Sequence, residues 1–323
     1  MCVRLRRMTD TPKVKASESA PIGISVVVAT LNRQQTLAKT LTSLSEQDHS
    51  DYEVVVIDQT PSIDPVLAKV LRDHSSKLRF LQLESRGVSY ARNKGIGIAN
   101  GEVILFIDDD VEVGRSFVAD HARAHAEVVT GAVAGITVDG RGGAVREALD
   151  ILPIVSKGSS KIFPDPFIEI TWAGSGNLSV RKSILTEIGG FDEKLPGNYA
   201  EDVDLTLRIR SAGYSLIADP RIVMVHLAEK RGGGEFRNER QLDQRARERY
   251  RCATYCFLKN WRWIGVWQTC GALWRSYRGY AFNRKSILDW SFLRKHVVAV
   301  SDLVRVLGQL LVLISDRRSS HSA

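Results

Sequence analysis

The chain has 323 residues, of which 44% are hydrophobic and 25% charged, a balance that supports a buried core and excludes a disordered polyelectrolyte. Its four cysteines are Cys2, Cys252, Cys256 and Cys270; the absence of any between Val3 and Arg251 excludes a disulfide-framed body and fits a reducing, cytoplasmic compartment. The net charge of +8 is uneven: from Arg231 to Lys295 fifteen Lys or Arg face five Asp or Glu, a local excess of +10 that implies an anionic surface as partner, nucleic acid or phospholipid.

Residues 1–21 carry Arg4, Arg6, Arg7, Lys13 and Lys15 with no apolar run behind them, and read as a disordered basic N-terminus rather than a secretory signal. Ile24–Ala29 is a β-branched run of a buried strand, and Leu37, Leu41 and Leu44 give Gln34–Gln47 a helical period. Glu53–Ile57 predicts a second strand ending at Asp58, Val66–His74 a helix, Leu78–Leu83 a third strand, Gly87–Asn100 a helix closed by Gly101, and Val103–Ile107 a fourth strand. Further on, strands are expected at Ala132–Val138, Ile168–Trp172, Asn177–Val180, Tyr214–Ala218 and Ile222–His226, with a helix over Asp202–Ser211. From Asn238 onward the pattern is helical, and five of the six Trp lie between Trp261 and Trp290. Strands alternating with helices predict an α/β fold with a parallel sheet covered on both faces, whose ligands sit at the carboxyl ends of strands. Gly95, Gly97 and Gly101 mimic a dinucleotide fingerprint, but a helix precedes them and a strand follows, the reverse of what that motif needs, so they read as close helix–sheet packing.

Thr30, Asp58 and Asp108–Asp110 all fall at strand ends. Three consecutive carboxylates repel unless a cation sits among them, and clustered small carboxylates suit Mg2+ or Mn2+ holding a phosphate-bearing substrate. The same repulsion predicts that removing Asp110 leaves stability unchanged or raises it. A second acidic group, Glu201 and Asp202, opens a helix, where the dipole favours ionised carboxylates and one of them could act as a base.

In order, VVVATLNR, VVIDQT, RGVSYARNKGIGIANGEVILFIDDD, GSGNLSVRKSILTEIGGFDE and YAEDVDLTLRIRSAGY resemble a family 2 glycosyltransferase over about Ile22–Gly234. The resemblance implies a Rossmann-like GT-A fold with a mixed, mostly parallel central sheet. It divides into a nucleotide-binding half over 22–110 and an acceptor half over 111–234, followed by a basic, Trp-rich helical extension over 235–323. It also implies inverting, metal-dependent transfer from a nucleotide-diphosphate sugar to a glycan or lipid-linked glycan. By the same resemblance Thr30 and Arg33 lie against the nucleoside, Asp58 accepts from the base, and Arg86 contacts base or phosphate. Asp108 and Asp110 form the DxD pair on ribose and metal, with Asp109 between them on the donor side. Gly176 and Asn177 line the sugar pocket, Asp202 is the general base with Glu201 beside it, His226 joins the metal, and Lys230 and Arg231 form a lid over the diphosphate. The chain departs from the commonest pattern at Ala29-Thr30-Leu31-Asn32, where many members have Pro then Tyr-Asn, which leaves the base open.

Two rival readings are a sugar-nucleotide pyrophosphorylase, disfavoured because TLNRQQ lacks the glycine-rich loop, and a non-catalytic basic scaffold, which leaves the acidic groups without a role and places them against nucleic acid. At the C-terminal end, Trp261, Trp263, Trp267 and Trp274 alternate with Arg262, Arg275 and Arg278. The apolar Val297–Ile314 is interrupted by Asp302, Arg305 and Gln309 at helical spacing. A spanning helix would bury charge at high cost; the expectation is an amphipathic helix lying on the protein, on a partner subunit or peripherally on the inner face of an anionic membrane.

Overall fold

The structure, a computed structural model, describes residues 22–128, 130–140, 165–195, 197–227, 239–281 and 291–319. The basic N-terminus and the lid residues Lys230 and Arg231 lie outside the described residues.

The four expected N-terminal strands form: β1 (Ile24–Thr30), β2 (Tyr52–Asp58), β3 (Leu78–Gln82) and β4 (Val103–Ile107), all parallel in the order β3-β2-β1-β4. Alternate residues of each strand feed opposite faces of the sheet. Val26, Val28, Val54, Val56 and Leu105 pack under Leu37, Leu41 and Leu44 of α1 (Gln34–Ser45), Leu67 of α2 (Pro65–Asp73) and Phe117 and Val118 of α4 (Phe117–Glu127). Val27, Val55, Ile57, Ile104 and Phe106 face Ala91 of α3 (Val88–Ile98), Ile184 and Leu185 of α5 (Lys182–Ile188) and Leu205 and Ile209 of α6 (Glu201–Ser211). With both faces covered, the strands can be continuous apolar runs. Two of the three glycines of the false fingerprint do pack closely: a Cβ on Gly95 would stand 2.4 Å from Val27 Cγ1, and one on Gly101 would stand 2.5 Å from the Ser25 amide nitrogen, whereas Gly97 faces open space.

Beyond β4 the sheet becomes mixed. β8 (Asn177–Arg181) runs antiparallel to β4, and β6 (Ala132–Asp139) antiparallel to β8. β9 (Leu216–His226) is parallel to β6 and antiparallel to two short strands, β5 (Val111–Val113) and β7 (Ile168–Glu169). Three corrections arise here. The strand expected over Ile168–Trp172 is two residues long. The reading in chain order omits β5, α4 and α5. And Tyr214–Ala218 and Ile222–His226 are not two strands but one, because Asp219-Pro220-Arg221 does not turn the chain. The Asp219 carboxylate accepts the Arg221 amide (3.0 Å) and guanidinium, and the pairing with β6 shifts register between Ala134 and Ile136, so Pro220 is carried through a bulge.

The C-terminal segment is helical as expected, with α7 (Glu239–Lys259), α8 (Trp261–Ile264), α9 (Val266–Ala281) and α10 (Ser291–Ser319). Cys252 and Cys256, one turn apart, are both buried, each in a separate apolar cluster: Cys252 with Leu195, Tyr255 and Val306, Cys256 with Ala200 and Leu207. Fully buried Asp204 on α6 accepts from Arg208 (2.8 Å), Lys259 (3.1 Å) and Asn260 (3.0 Å), tying α7 to the helix that begins with Glu201 and Asp202. Fully buried Asp302 on α10 takes two hydrogen bonds from Arg247 on α7, at 2.6 and 2.8 Å. Among the described residues no helix is long and apolar enough to cross a membrane.

Candidate active site

The strand ends converge as the sequence predicts. β1 delivers Thr30, β2 delivers Asp58, and β4 runs into Asp108–Asp110. The loop carrying the three aspartates is held from beneath by Thr40 of α1, whose hydroxyl lies 3.0 Å from the Asp109 carbonyl and 2.8 Å from that of Val111.

The three carboxylates have different surroundings. Asp109 turns inward: it is buried, accepts the Thr30 hydroxyl at 2.6 Å and lies 3.3 Å from Arg33 Nη1, while burial pushes its carboxyl up to about 6. Thr30 and Asp109, both expected against the donor, bind each other in the structure and order the loop. Asp110 is nearly fully buried. Burial alone would raise its carboxyl, but the contact and charge of His226, together with Arg33 Nη1 at 2.9 Å, hold it below the ordinary carboxylate range. Against the repulsion argument, Asp110 has Arg33 and His226 as attractive partners where it sits. Asp108 opens onto the cavity, its side chain 41% exposed. Confinement by the walls, with the charges of Asp110 and Glu201, raises its carboxyl against the pull of Arg92.

Asp110 Oδ1 is buried without a hydrogen-bond partner; His226 Nε2 stands 3.1 Å away, near enough for charge but poorly aligned for a bond. One ligand atom each from Asp108, Asp110 and His226 lie within 4.8 Å of one another. An orphaned buried oxygen beside a second carboxylate and an imidazole fits a divalent cation.

Behind this cluster lies a cavity of about 360 Å³ lined by Arg92, Asp108, Trp172, Gly176, Glu201 and Asp202, among others. Gly176 lies close against Asp108: a Cβ there would stand 2.5 Å from Oδ2, so the carboxylate would have to shift. Gly176→Ala is accordingly expected to displace the Asp108 carboxylate and cost at least about tenfold in kcat/KM with the fold retained; unchanged kinetics would show that Asp108 has room to move. Asn177 borders the same cavity, but its amide is committed to the Ile136 carbonyl (3.2 Å) and to His121 Nε2 (3.0 Å), which burial keeps neutral with its pKa down to about 4.

Glu201 and Asp202 separate in role. Glu201 is buried and accepts from Arg92 Nη1 at 3.0 Å. Asp202 accepts its neighbour's amide, Val203 N, at 2.7 Å through Oδ1, while Oδ2 sits beside Gly174 at the cavity wall. Burial and the adjacent Glu201 charge push Asp202 up to about 7. The residue preceding them, Ala200, holds a left-handed φ of 65°, a strained conformation for alanine that aims the start of α6 into the cavity.

Two further residues expected at the donor, Asp58 and Arg86, have these surroundings. Asp58 is fully buried, with Gln34 Nε2 on one oxygen and the Thr60 amide (2.8 Å) on the other, so it orders the turn after β2. The Arg86 side chain is 62% exposed, near Glu84 (3.8 Å) and over the Tyr90 ring (5.2 Å). The sequence reading passed over Arg92, which joins the two acidic groups by touching Glu201 and lying 3.6 Å from Asp108. It stands within the sheet-facing stripe of α3 with Ala91 and Gly95, and an arginine in an apolar stripe was the signal available.

Comparison with known proteins bears on the family and the fold. A family described as glycosyl transferase family 2 matches residues 25–189. The chain is 27% identical over 232 residues to validoxylamine A glucosyltransferase of Streptomyces hygroscopicus subsp. limoneus, a match covering 62% of this chain and 51% of that protein. It is 29% identical over 183 residues to the GalNAc(5)-diNAcBac-PP-undecaprenol β-1,3-glucosyltransferase of Campylobacter jejuni, covering 55% of this chain and 57% of that one. The chain thus spans about half the length of the curated relatives it matches. Among solved structures, S. aureus TarS 1–349 in complex with UDP-GlcNAc superposes with a TM-score of 0.63 at 20% identity, over 88% of this chain and 81% of that one. The mannosyltransferase PcManGT of Pyrobaculum calidifontis, in complex with GDP-Man and Mn2+, gives 0.57 at 17% identity, over 98% and 85%.

Proposed function

The chain belongs to glycosyl transferase family 2, and on that premise we propose that it transfers a sugar from a nucleotide-diphosphate sugar to a hydroxyl of a glycan or lipid-linked glycan, with inversion at the anomeric carbon. The observation that carries this is one cavity with a DxD–imidazole cluster at one end and a raised carboxylate, Asp202, on its wall. Asp108, Asp110 and His226 would hold the cation, Mn2+ or Mg2+, which when bound supplies Lewis-acid neutralisation of the leaving diphosphate. Asp202 takes the proton from the attacking acceptor hydroxyl; its pKa near neutrality suits a group that must accept that proton and give it up again. Glu201, engaged by Arg92, is the less suited base and instead helps keep Asp202 basic. Arg33, whose Nη1 lies 2.9 Å from Asp110, would exchange that contact for donor phosphate. Trp172 on the cavity wall supplies an apolar face for a sugar ring.

Support for the donor class comes from neighbours seen with UDP-GlcNAc and with GDP-Man and Mn2+. A pyrophosphorylase is disfavoured by the β1–α1 turn, where Leu31-Asn32-Arg33 offers a single positive-φ residue, Asn32, and no glycine cradle for a triphosphate. A thermal-shift screen of UDP-, GDP- and dTDP-sugars with Mn2+ or Mg2+ tests the reading. The expected result is stabilisation that requires nucleotide sugar and metal together. Stabilisation by none of them, or an equal shift in EDTA, overturns the metal-dependent donor site.

A further inference from the structure

Helix α10 has two unlike sides. Ala299, Asp302 and Val306 are buried, Ala299 with Tyr250 and Tyr280, and Val306 with Cys252 and Tyr255. The other side carries Val297, Val300, Val304 and Leu307, exposed by 63, 60, 63 and 42%. Steps of three, four and three residues align them as one ridge along the helix, and Leu311 and Ile314 continue the spacing in the sequence. Between His296 and Ser315 the charged residues are Asp302, buried on Arg247, and Arg305. Exposed Ser301, Gly308 and Gln309 flank the ridge, so this side is poor in charge and carries four large exposed apolar residues, more than an ordinary solvated face.

The rim of the ridge is basic and aromatic. Tyr277 of α9 touches both Trp274 (ring centroids 5.7 Å apart) and His296 of α10 (5.5 Å), which brings α9 to the N-terminal end of the ridge. Trp274 is 55% exposed, Arg275 and Arg278 on the same helix are exposed, and the Arg305 side chain is 65% exposed. A second copy seated on this surface about a two-fold axis would set one basic rim against another, whereas anionic lipid complements it.

We propose that the α10 ridge is a peripheral membrane-docking surface for anionic bilayers. Val297, Val300, Val304 and Leu307 enter the boundary between headgroups and acyl chains, Trp274 lies at that boundary, and Arg275, Arg278 and Arg305 meet lipid phosphates. The surface stands without the transfer reading; joined to it, docking brings the active site to the leaflet that would present a lipid-linked acceptor.

The test is co-sedimentation of the full chain with phosphatidylglycerol-containing and with pure phosphatidylcholine vesicles, at low and high salt. Alongside the wild type it uses the variant Val300→Asp/Val304→Asp, whose thermal unfolding and nucleotide-sugar turnover are expected to be unchanged. Light scattering on the same samples reads the oligomeric state. Expected are binding to the anionic vesicles alone, release by salt, and a drop of at least about tenfold in the bound fraction of the variant. Absence of binding, equal binding to both vesicles, or an oligomer that the variant dissolves without any vesicle binding overturns the proposal. No arm uses donor or acceptor, so a failure here is distinct from a failure of the transfer reading.

Discussion

Asp202→Asn is expected to keep nucleotide-sugar affinity and to lose about two to four orders of magnitude in turnover, the usual scale for removing a general base. The change is close to isosteric and retains the oxygen that accepts the Val203 amide, so the start of α6 keeps its place. In the wild-type protein Asp202 must be ionised to act. With its pKa up to about 7, through burial and the Glu201 charge, turnover should climb as pH rises through neutrality, and that limb should vanish in the variant. Stability moves the other way. A carboxyl whose folded pKa exceeds its unfolded value of about 3.9 binds more protons native than unfolded between those two values. Its contribution therefore falls as pH rises across that window, and the Asn variant should be the more stable protein at alkaline pH. Calorimetric donor binding, single-turnover rates and unfolding midpoints across pH measure all three. A near-wild-type rate in the variant would assign the proton transfer elsewhere.

Asp110→Ala is expected to abolish transfer and the metal-dependent thermal shift, and, against the simple repulsion argument, to cost stability in the metal-free protein. The loss should be on the order of 1–3 kcal/mol at neutral pH, because Arg33 and His226 are left facing each other without the carboxylate between them. The sign follows from the depressed carboxyl: its contribution is present above the unfolded value and is lost as pH falls through the folded one. The difference between wild type and variant should thus narrow in acid. Full activity of wild-type protein in EDTA would remove the metal from the mechanism, and an unchanged or raised unfolding midpoint for the variant would restore the repulsion argument.

Much of this was legible in the residues. Period and β-branching fix β1 to β4 and their helices, because a strand buried on both faces has to be an unbroken apolar run and its covering helices have to repeat every three to four residues. The placement of Thr30, Asp58 and Asp108–Asp110 at one sheet edge follows from that alone, as does the separation of the acidic groups at Asp108 and Glu201. Short elements escaped: β5 and α5 are three and seven residues long, too short for a period to declare itself, and β9 continues through Pro220 only because β6 lies beside it.

By itself the sequence determined the chemistry available: three carboxylates after a strand, an acidic pair at a helix start, a basic and tryptophan-bearing C-terminal segment. The tertiary structure decided which of those groups line the cavity. Adjacent carboxylates with the same residue name ended in opposite states, Asp109 pinned inward by Thr30 and Arg33, Asp110 turned to His226 from a strand more than a hundred residues away. Arg92 became the link between Asp108 and Glu201, and Asp302, which reads as part of a polar stripe, became the buried anchor of α10 on Arg247. Which way a side chain points depends on partners brought together by folding, and burial and neighbouring charge, not residue type, set what each carboxylate can do.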